Sequence, residues 1–183
     1  MKLHLGCGKR DFEGWINVDL ADFPHIHHKS SVDDLQMFRD NTADLIYSSH
    51  TLEYFDKIEV IAVLKEWRRV LKNGATLRVA VPDFSSLVEL YLETGKLDLI
   101  LGPLYGRMPI KLLTDEITLY HKTVYDFDTL KSLLECSGFT NVVRYEWQRV
   151  SHADQDDHSQ AYYPHMDKEG GKLLSLNVEA ESC

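Results

Sequence analysis

A chain of 183 residues with 44% hydrophobic and 27% charged residues has the make-up of a globular protein long enough to bury a core. Its 29 acidic residues outnumber its 20 basic ones, and the formal charge of −9 argues against broad phosphate-backbone binding, so no nucleic-acid partner is expected. No apolar run approaches the ~20 residues of a membrane span, strand-like residues rather than a leader open the chain, and Cys7, Cys136 and Cys183 form no CxxC pair, so a reducing cytoplasm without disulfides is expected.

In chain order, Lys2–Leu5 reads as a first strand and Trp15–Leu20 as a second, with the turn Gly6-Cys7-Gly8 between them. Lys29–Val32 reads as a short third strand, and residues 43–48 as a buried fourth. From Asp56 to Lys72 the apolar residues Ile58, Ile61, Ala62, Leu64, Trp67, Val70 and Leu71 recur at helical spacing, and Gly74 stops the helix. A strand over Ala75–Val81 follows. Asp126 caps a second helix, Phe127–Cys136, ending at Gly138, and Val142–Trp147 and Leu173–Ala180 read as late strands. Alternating strands and helices predict one α/β domain over residues 1–183 with a mainly parallel sheet. Residues 83–125 read as an insertion that can cover a site, and the His- and Asp-rich residues 148–172 as a loop.

A strand, a glycine turn and a second strand ending in an acid can hold an adenosine, because glycine lets the backbone approach a ligand and the acid accepts from ribose hydroxyls. Asp19 is that acid. A dinucleotide fits poorly: Asp11 stands where the third glycine of G-x-G-x-x-G belongs, and Asp19 follows Gly8 by eleven residues rather than ≈20. Six residues separate Gly8 from Trp15, whereas a parallel crossover takes a dozen or more. The first helix is therefore expected to be one turn long or missing.

Taken together, Leu3-His4-Leu5-Gly6-Cys7-Gly8, Val18-Asp19-Leu20, the stretch from Phe38 through Asp44-Leu45-Ile46-Tyr47-Ser48-Ser49-His50 to Tyr54, and Leu64 to Ala75 resemble the class I S-adenosylmethionine-dependent methyltransferases, as does the tail Asp128 to Phe139. The resemblance is nearest to small methyltransferases of the type 11-like group, some associated with glycan synthesis. It implies a Rossmann-like seven-stranded sheet ending in an antiparallel hairpin, with S-adenosyl-L-methionine as cofactor. It implies that Gly6, Cys7, Gly8 and Ser48 line the cofactor site, that Asp19 holds the ribose, that Asp33 or Asp34 meets the adenine amino group, and that Leu20 and Leu35 sandwich the ring. His50 falls where the transferred methyl would face its acceptor, and an imidazole near neutral pKa suits a general base. Glu53 belongs to the same turn. His121 and Tyr125 are expected to enter the pocket from the insertion. The chain departs from the family at His4, where an acid is usual, and at Arg10, where a third glycine is common.

The expected activity is methyl transfer to an O or N acceptor on a small molecule or saccharide, with a second subunit or the insertion as cover. A non-catalytic binding module of the same fold and another nucleotide-dependent α/β enzyme are the alternatives. The histidines at 25, 27 and 28, and His152 and His158 with their neighbouring aspartates, lack H-E-x-x-H spacing and are expected in solvated loops rather than on a metal.

Overall fold

The computed structural model describes residues 1–111 and 116–183. In chain order its elements are β1 (Lys2–Leu5), β2 (Ile16–Asp19), β3 (His28–Lys29), β4 (Ala43–Ser49), α1 (Glu59–Val70), β5 (Leu71–Pro82), α2 (Phe84–Thr94), α3 (Asp98–Tyr105), β6 (Met108–Lys111), β7 (Glu116–Leu119), α4 (Phe127–Cys136), β8 (Phe139–Arg144), β9 (Tyr162–Tyr163), β10 (Lys172–Leu173) and β11 (Ser175–Ser182). Seven strands make one sheet in the order β3-β2-β1-β4-β5-β11-β8. Every pairing in it is parallel except the two made by β11, which slots antiparallel between β5 and β8. The chain builds outward from β1 to β3, then restarts on the other side with β4. The C-terminal ends of β1 and β4 therefore flank a switch point, the place where open α/β sheets bind ligands.

The two faces of the sheet are built differently. On one, Leu3, Leu5, Val18, Ile46, Leu77 and Val79 pack under α1 and α4 in the main core. α1 buries Val60, Val63, Leu64, Trp67 and Val70 at helical spacing, and Trp67 donates its indole N–H to the carbonyl of Val32 at 2.8 Å. The Asp126 carboxylate accepts from the Thr129 amide at 2.8 Å within a capping box that starts α4. The helix expected from Asp56 starts at Glu59, because the Asp56 carboxylate instead accepts from the amides of Ile58 and Glu59. It ends at Val70, because Leu71 already pairs with Ala43.

The other face carries a cross-strand row, Asn17–His4–Tyr47–Arg78–Glu179, read straight from the register. No helix links β1 to β2. The ten-residue stretch from Gly6 to Trp15 folds Phe12 and Trp15 onto the row: Phe12 stacks on His4 with centroids 4.2 Å apart, and His152 closes the cluster at 4.2 Å from Tyr47. His152 belongs to a strap of residues 145–174 between β8 and β11. The expectation of a solvated loop there is corrected: His152, Asp157, Ser159 and Gln160 are buried. Asp157 accepts the Tyr47 hydroxyl proton, and Asn177 donates to the Ser159 carbonyl at 2.9 Å. The strap thus does the covering work of the missing helix. His25 is half-buried and bonds the Gly8 carbonyl at 2.9 Å, while His27 is exposed and accepts from the Asn17 amide at 3.1 Å.

Several strand boundaries move, β5 among them, which starts at Leu71 rather than Ala75. β3 stops at Lys29, since the chain turns at Ser31, whose carbonyl accepts from Asp34 N. β8 starts at Phe139 rather than Val142, because Phe139 and Val142 face the core while Tyr145 leaves the sheet. The stretch expected over Leu173–Ala180 divides into β10 and β11, with Leu174 turned into a small core beside Leu87, Leu90 and Ile100. The insertion over residues 83–125 holds α2, α3 and the antiparallel hairpin β6–β7, in which Met108 faces Leu119. Its residues 112–115 lie outside the described part.

Candidate functional site

A cavity of about 650 Å³ opens at the switch point. The glycine turn after β1, the end of β2, the turn after β4 and the hairpin β6–β7 all contribute walls.

Gly6 and Gly8 both have positive φ, +67° and +54°. A Cβ on Gly6 would sit 2.3 Å from the Thr51 hydroxyl oxygen, so the β1 and β4 turns approach too closely for any side chain there. A Cβ on Gly8 would meet nothing within 4 Å. The Asp19 carboxylate accepts from the Gly8 amide at 2.8 Å and from the Ala21 amide at 2.7 Å. It is nearly buried, with 9% of its surface exposed, and still lines the cavity. Each oxygen takes one amide and keeps further acceptor capacity. That is the chemistry a vicinal diol needs, so the donor set fits a nucleoside ribose.

Of the residues singled out from the sequence, Gly6, Gly8, Asp19, Leu20 and His50 meet around this cavity. The other residues expected to form the site do not line it. Cys7 is buried beneath the turn, and burial, helped by the Asp19 charge, pushes its thiol up to about 12. Ser48 is buried and donates to the Leu5 carbonyl at 2.9 Å, tying β4 to β1. Leu35 is fully buried in the main core, under α1. Asp33 and Asp34 are exposed on the turn after β3; the Ser31 hydroxyl donates to Asp33, and Ser31 and Val32 line the wall in their place. Phe23, Thr51, Tyr54 and Phe55 also line it. Thr51 and Tyr54 belong to the turn after β4 that the resemblance marked; nothing in sequence context marked Phe23 and Phe55, because a lone aromatic in a loop reads the same whether it faces a core or a cavity. His121 and Tyr125 fall behind the wall rather than on it.

His50 has φ +52°, with its amide bonded to the Ala80 carbonyl at 2.8 Å. Its Nε2 is 3.2 Å from the Ser175 hydroxyl and its Nδ1 is 3.5 Å from Glu53 Oε1. Burial holds the His50 ring well below the ordinary imidazole range, with the neighbouring His158, His121 and Arg10 adding to the effect. Glu53 is 1% exposed and lies 3.8 Å from His121 Nε2 on its other side. Burial pushes its carboxyl up to about 8. The Glu53 carbonyl accepts from the amides of Lys122 and Thr123, so this residue also fastens the segment leaving the hairpin to the β4 turn. Among the described residues no group of three or more His, Cys, Asp or Glu is placed to hold a metal ion, and no helix is long and apolar enough to cross a membrane.

Comparison with known proteins agrees with this geometry. A family described as a methyltransferase domain matches residues 13–79, which run from the crossover through β5. An S-adenosylmethionine-dependent methyltransferase from Methanosarcina mazei superposes with a TM-score of 0.58 at 15% identity, over 99% of this chain and 91% of its own. One from Archaeoglobus fulgidus gives 0.56 at 17% identity, over 98% and 85%. The 1,6-didemethyltoxoflavin-N1-methyltransferase of Burkholderia thailandensis, solved with bound S-adenosylhomocysteine, gives 0.55 at 12% identity, over 99% and 70%. No curated protein matches the sequence. The fold is that of the class I S-adenosylmethionine-dependent methyltransferases.

Proposed function

We propose that the chain transfers a methyl group from S-adenosylmethionine to an oxygen or nitrogen of a small molecule or saccharide, as a one-domain cytoplasmic enzyme. The observation that carries this reading is the meeting of the Gly6–Gly8 turn, Asp19 and His50 around one cavity at the switch point of the sheet. The cofactor, when bound, supplies a methyl on a positive sulfonium, open to in-line displacement. Asp19 would hold the ribose, with Gly8 giving the backbone room to approach and Leu20 lining the wall beside it. The chain's contribution is then alignment and the handling of one proton. His50 is neutral near pH 7 and can accept a proton from the acceptor, and Glu53 beside its Nδ1 stands where a base is oriented by a third group. The hairpin β6–β7 places Met108, Pro109, Ile110 and Leu119 on the cavity wall, an apolar surface that keeps water from the transfer.

Calorimetry with S-adenosylhomocysteine tests the proposal. The expected outcome is binding in the micromolar range that falls at least about tenfold in Asp19→Ala. Absence of heat with the wild-type chain, or an undiminished affinity in the variant, overturns it.

A further inference from the structure

Lys9 and Arg10 follow the glycine turn and line the cavity. In a chain of net charge −9 they would be expected to meet carboxylates. Among the described residues neither forms an ion pair. Arg10 donates from Nε to a main-chain carbonyl, that of Asp156, at 3.3 Å. The acids nearby are already engaged. Asp156 pairs with Lys168 at 3.0 Å, Asp157 accepts from Tyr47 and from the Ser159 amide, Asp22 pairs with Lys29, and Asp19 serves the amides of Gly8 and Ala21. The contact with Asp156 draws Arg10 toward the strap, which also carries His158. The His158 ring stands 5.1 Å from that of His50. The Arg10 charge helps hold both imidazoles below their ordinary range, after burial as the larger cause for each.

We infer that Arg10, Lys9, His50 and His158 form a subsite for an anionic group, a carboxylate or a phosphate monoester, carried by the methyl acceptor. A guanidinium with its two terminal nitrogens uncommitted can grip either oxyanion in a bidentate way. The two imidazoles add N–H donors in their neutral forms, which leaves His50 able to take the acceptor's proton. The nearest competing use of the same cations is the cofactor's own amino-acid carboxylate, since the turn that bears them is the proposed cofactor cradle. Placement favours the acceptor: Arg10 leans on the strap, beside the imidazole proposed to face the transferred methyl.

The inference rests on the cofactor reading above, and one experiment separates the two. Histidine ring resonances are followed by NMR in the chain saturated with S-adenosylhomocysteine, while glucuronate, inorganic phosphate or neutral methyl glucoside is added. The expected result is a saturable shift of the His50 and His158 signals with at least one of the two anions and none with methyl glucoside. Arg10→Gln abolishes the shift while keeping S-adenosylhomocysteine affinity within about twofold, and Lys9→Gln weakens it several-fold. A response to glucuronate alone marks a carboxylate acceptor, and to phosphate alone a phosphorylated one. Unmoved signals with both anions overturn the subsite. So does an Arg10→Gln variant that binds S-adenosylhomocysteine about tenfold more weakly but 5′-methylthioadenosine equally well, because the guanidinium then serves the cofactor. Should S-adenosylhomocysteine not bind the wild-type chain, the cofactor reading fails by itself, and the same titration without it still decides the anion site.

Discussion

Burial makes the position of Glu53 a costly one. Both its carboxyl oxygens are buried without a hydrogen-bond partner among the described residues, and its two neighbours are imidazoles at 3.5 and 3.8 Å. An ionised carboxylate there would be poorly solvated, which is why its pKa climbs from the ordinary 4.5 to about 8. Between those values the folded chain holds a proton that the unfolded chain has released. The stabilising share of this group is complete below 4.5 and is lost as pH rises toward 8, at up to ~1.4 kcal/mol per unit. Gln at this position cannot ionise. Glu53→Gln is therefore expected to gain on the wild type in melting temperature as pH is raised from about 5 to about 9. A difference independent of pH would show that Glu53 is charged throughout. Gly6 is constrained by geometry instead. Gly6→Ala forces an alanine into a left-handed conformation and drives its Cβ into Thr51, at a cost of roughly 1–3 kcal/mol by chemical denaturation. Adding Thr51→Ala should recover the part due to overlap and leave the part due to φ. No recovery at all would mean the Thr51 contact does not decide that position.

At the scale of elements, the strap replaces a helix. A helix over β1 and β2 would present one apolar stripe to one apolar face. Here the face is the row from Asn17 to Glu179, so its cover has to meet hydrogen bonds as well as rings. The strap does so with His152 against the aromatic cluster and Asp157 against Tyr47. Phe12 is the hinge of this arrangement, stacked between His4 and His152 at 4.2 and 5.4 Å. Phe12→Ala should cost about 3–5 kcal/mol and raise amide exchange selectively over residues 150–160. An increase spread evenly over the sheet would show that the strap is held elsewhere. This difference also explains what the sequence revealed. α1 and α4 were legible because Val60 to Val70 and Leu130 to Leu134 repeat at helical spacing and Asp126 announces a cap. The glycine turn and Asp19 were legible because their local spacing carries the chemistry. The strap was not, since His152 and Asp157 are buried by partners more than a hundred residues away, and a His- and Asp-rich run reads as solvent-facing until those partners are known. Asp33, Asp34 and Leu35 follow β3 as expected but stand off the cavity, because β3 is two residues long and the chain turns at Ser31.

For the whole molecule, the sheet divides two kinds of stability. The face under α1 and α4 is held by apolar burial, which does not titrate. The face under the strap contains His4 and His152, both buried, with His4 lowered to about 3 and His152 to about 4 mainly by loss of solvation. The charges facing them do not reverse this. His152, Arg10 and His25 add to the lowering at His4, and Arg78 and Lys2 add to it at His152, where Asp157 and Asp154 oppose it. Unfolded, both imidazoles would take a proton near 6.5, so below that pH the unfolded chain binds more protons than the folded one. The stability from keeping them neutral is complete above 6.5 and drains as pH falls toward 4 and then 3. Because both lie on one face, acid should release that face before the other. Trp15, packed edge-on to His152 at 5.5 Å, reports on it directly. Between about pH 6.5 and pH 4, near-ultraviolet circular dichroism and tryptophan emission should change while the far-ultraviolet signal of the helices persists. His152→Phe, which keeps the ring and removes the titrating nitrogens, should move that first transition to lower pH. Coincident loss of all three signals, at the same pH in both chains, would mean the two faces unfold as one unit and that the buried imidazoles do not set the acid limit.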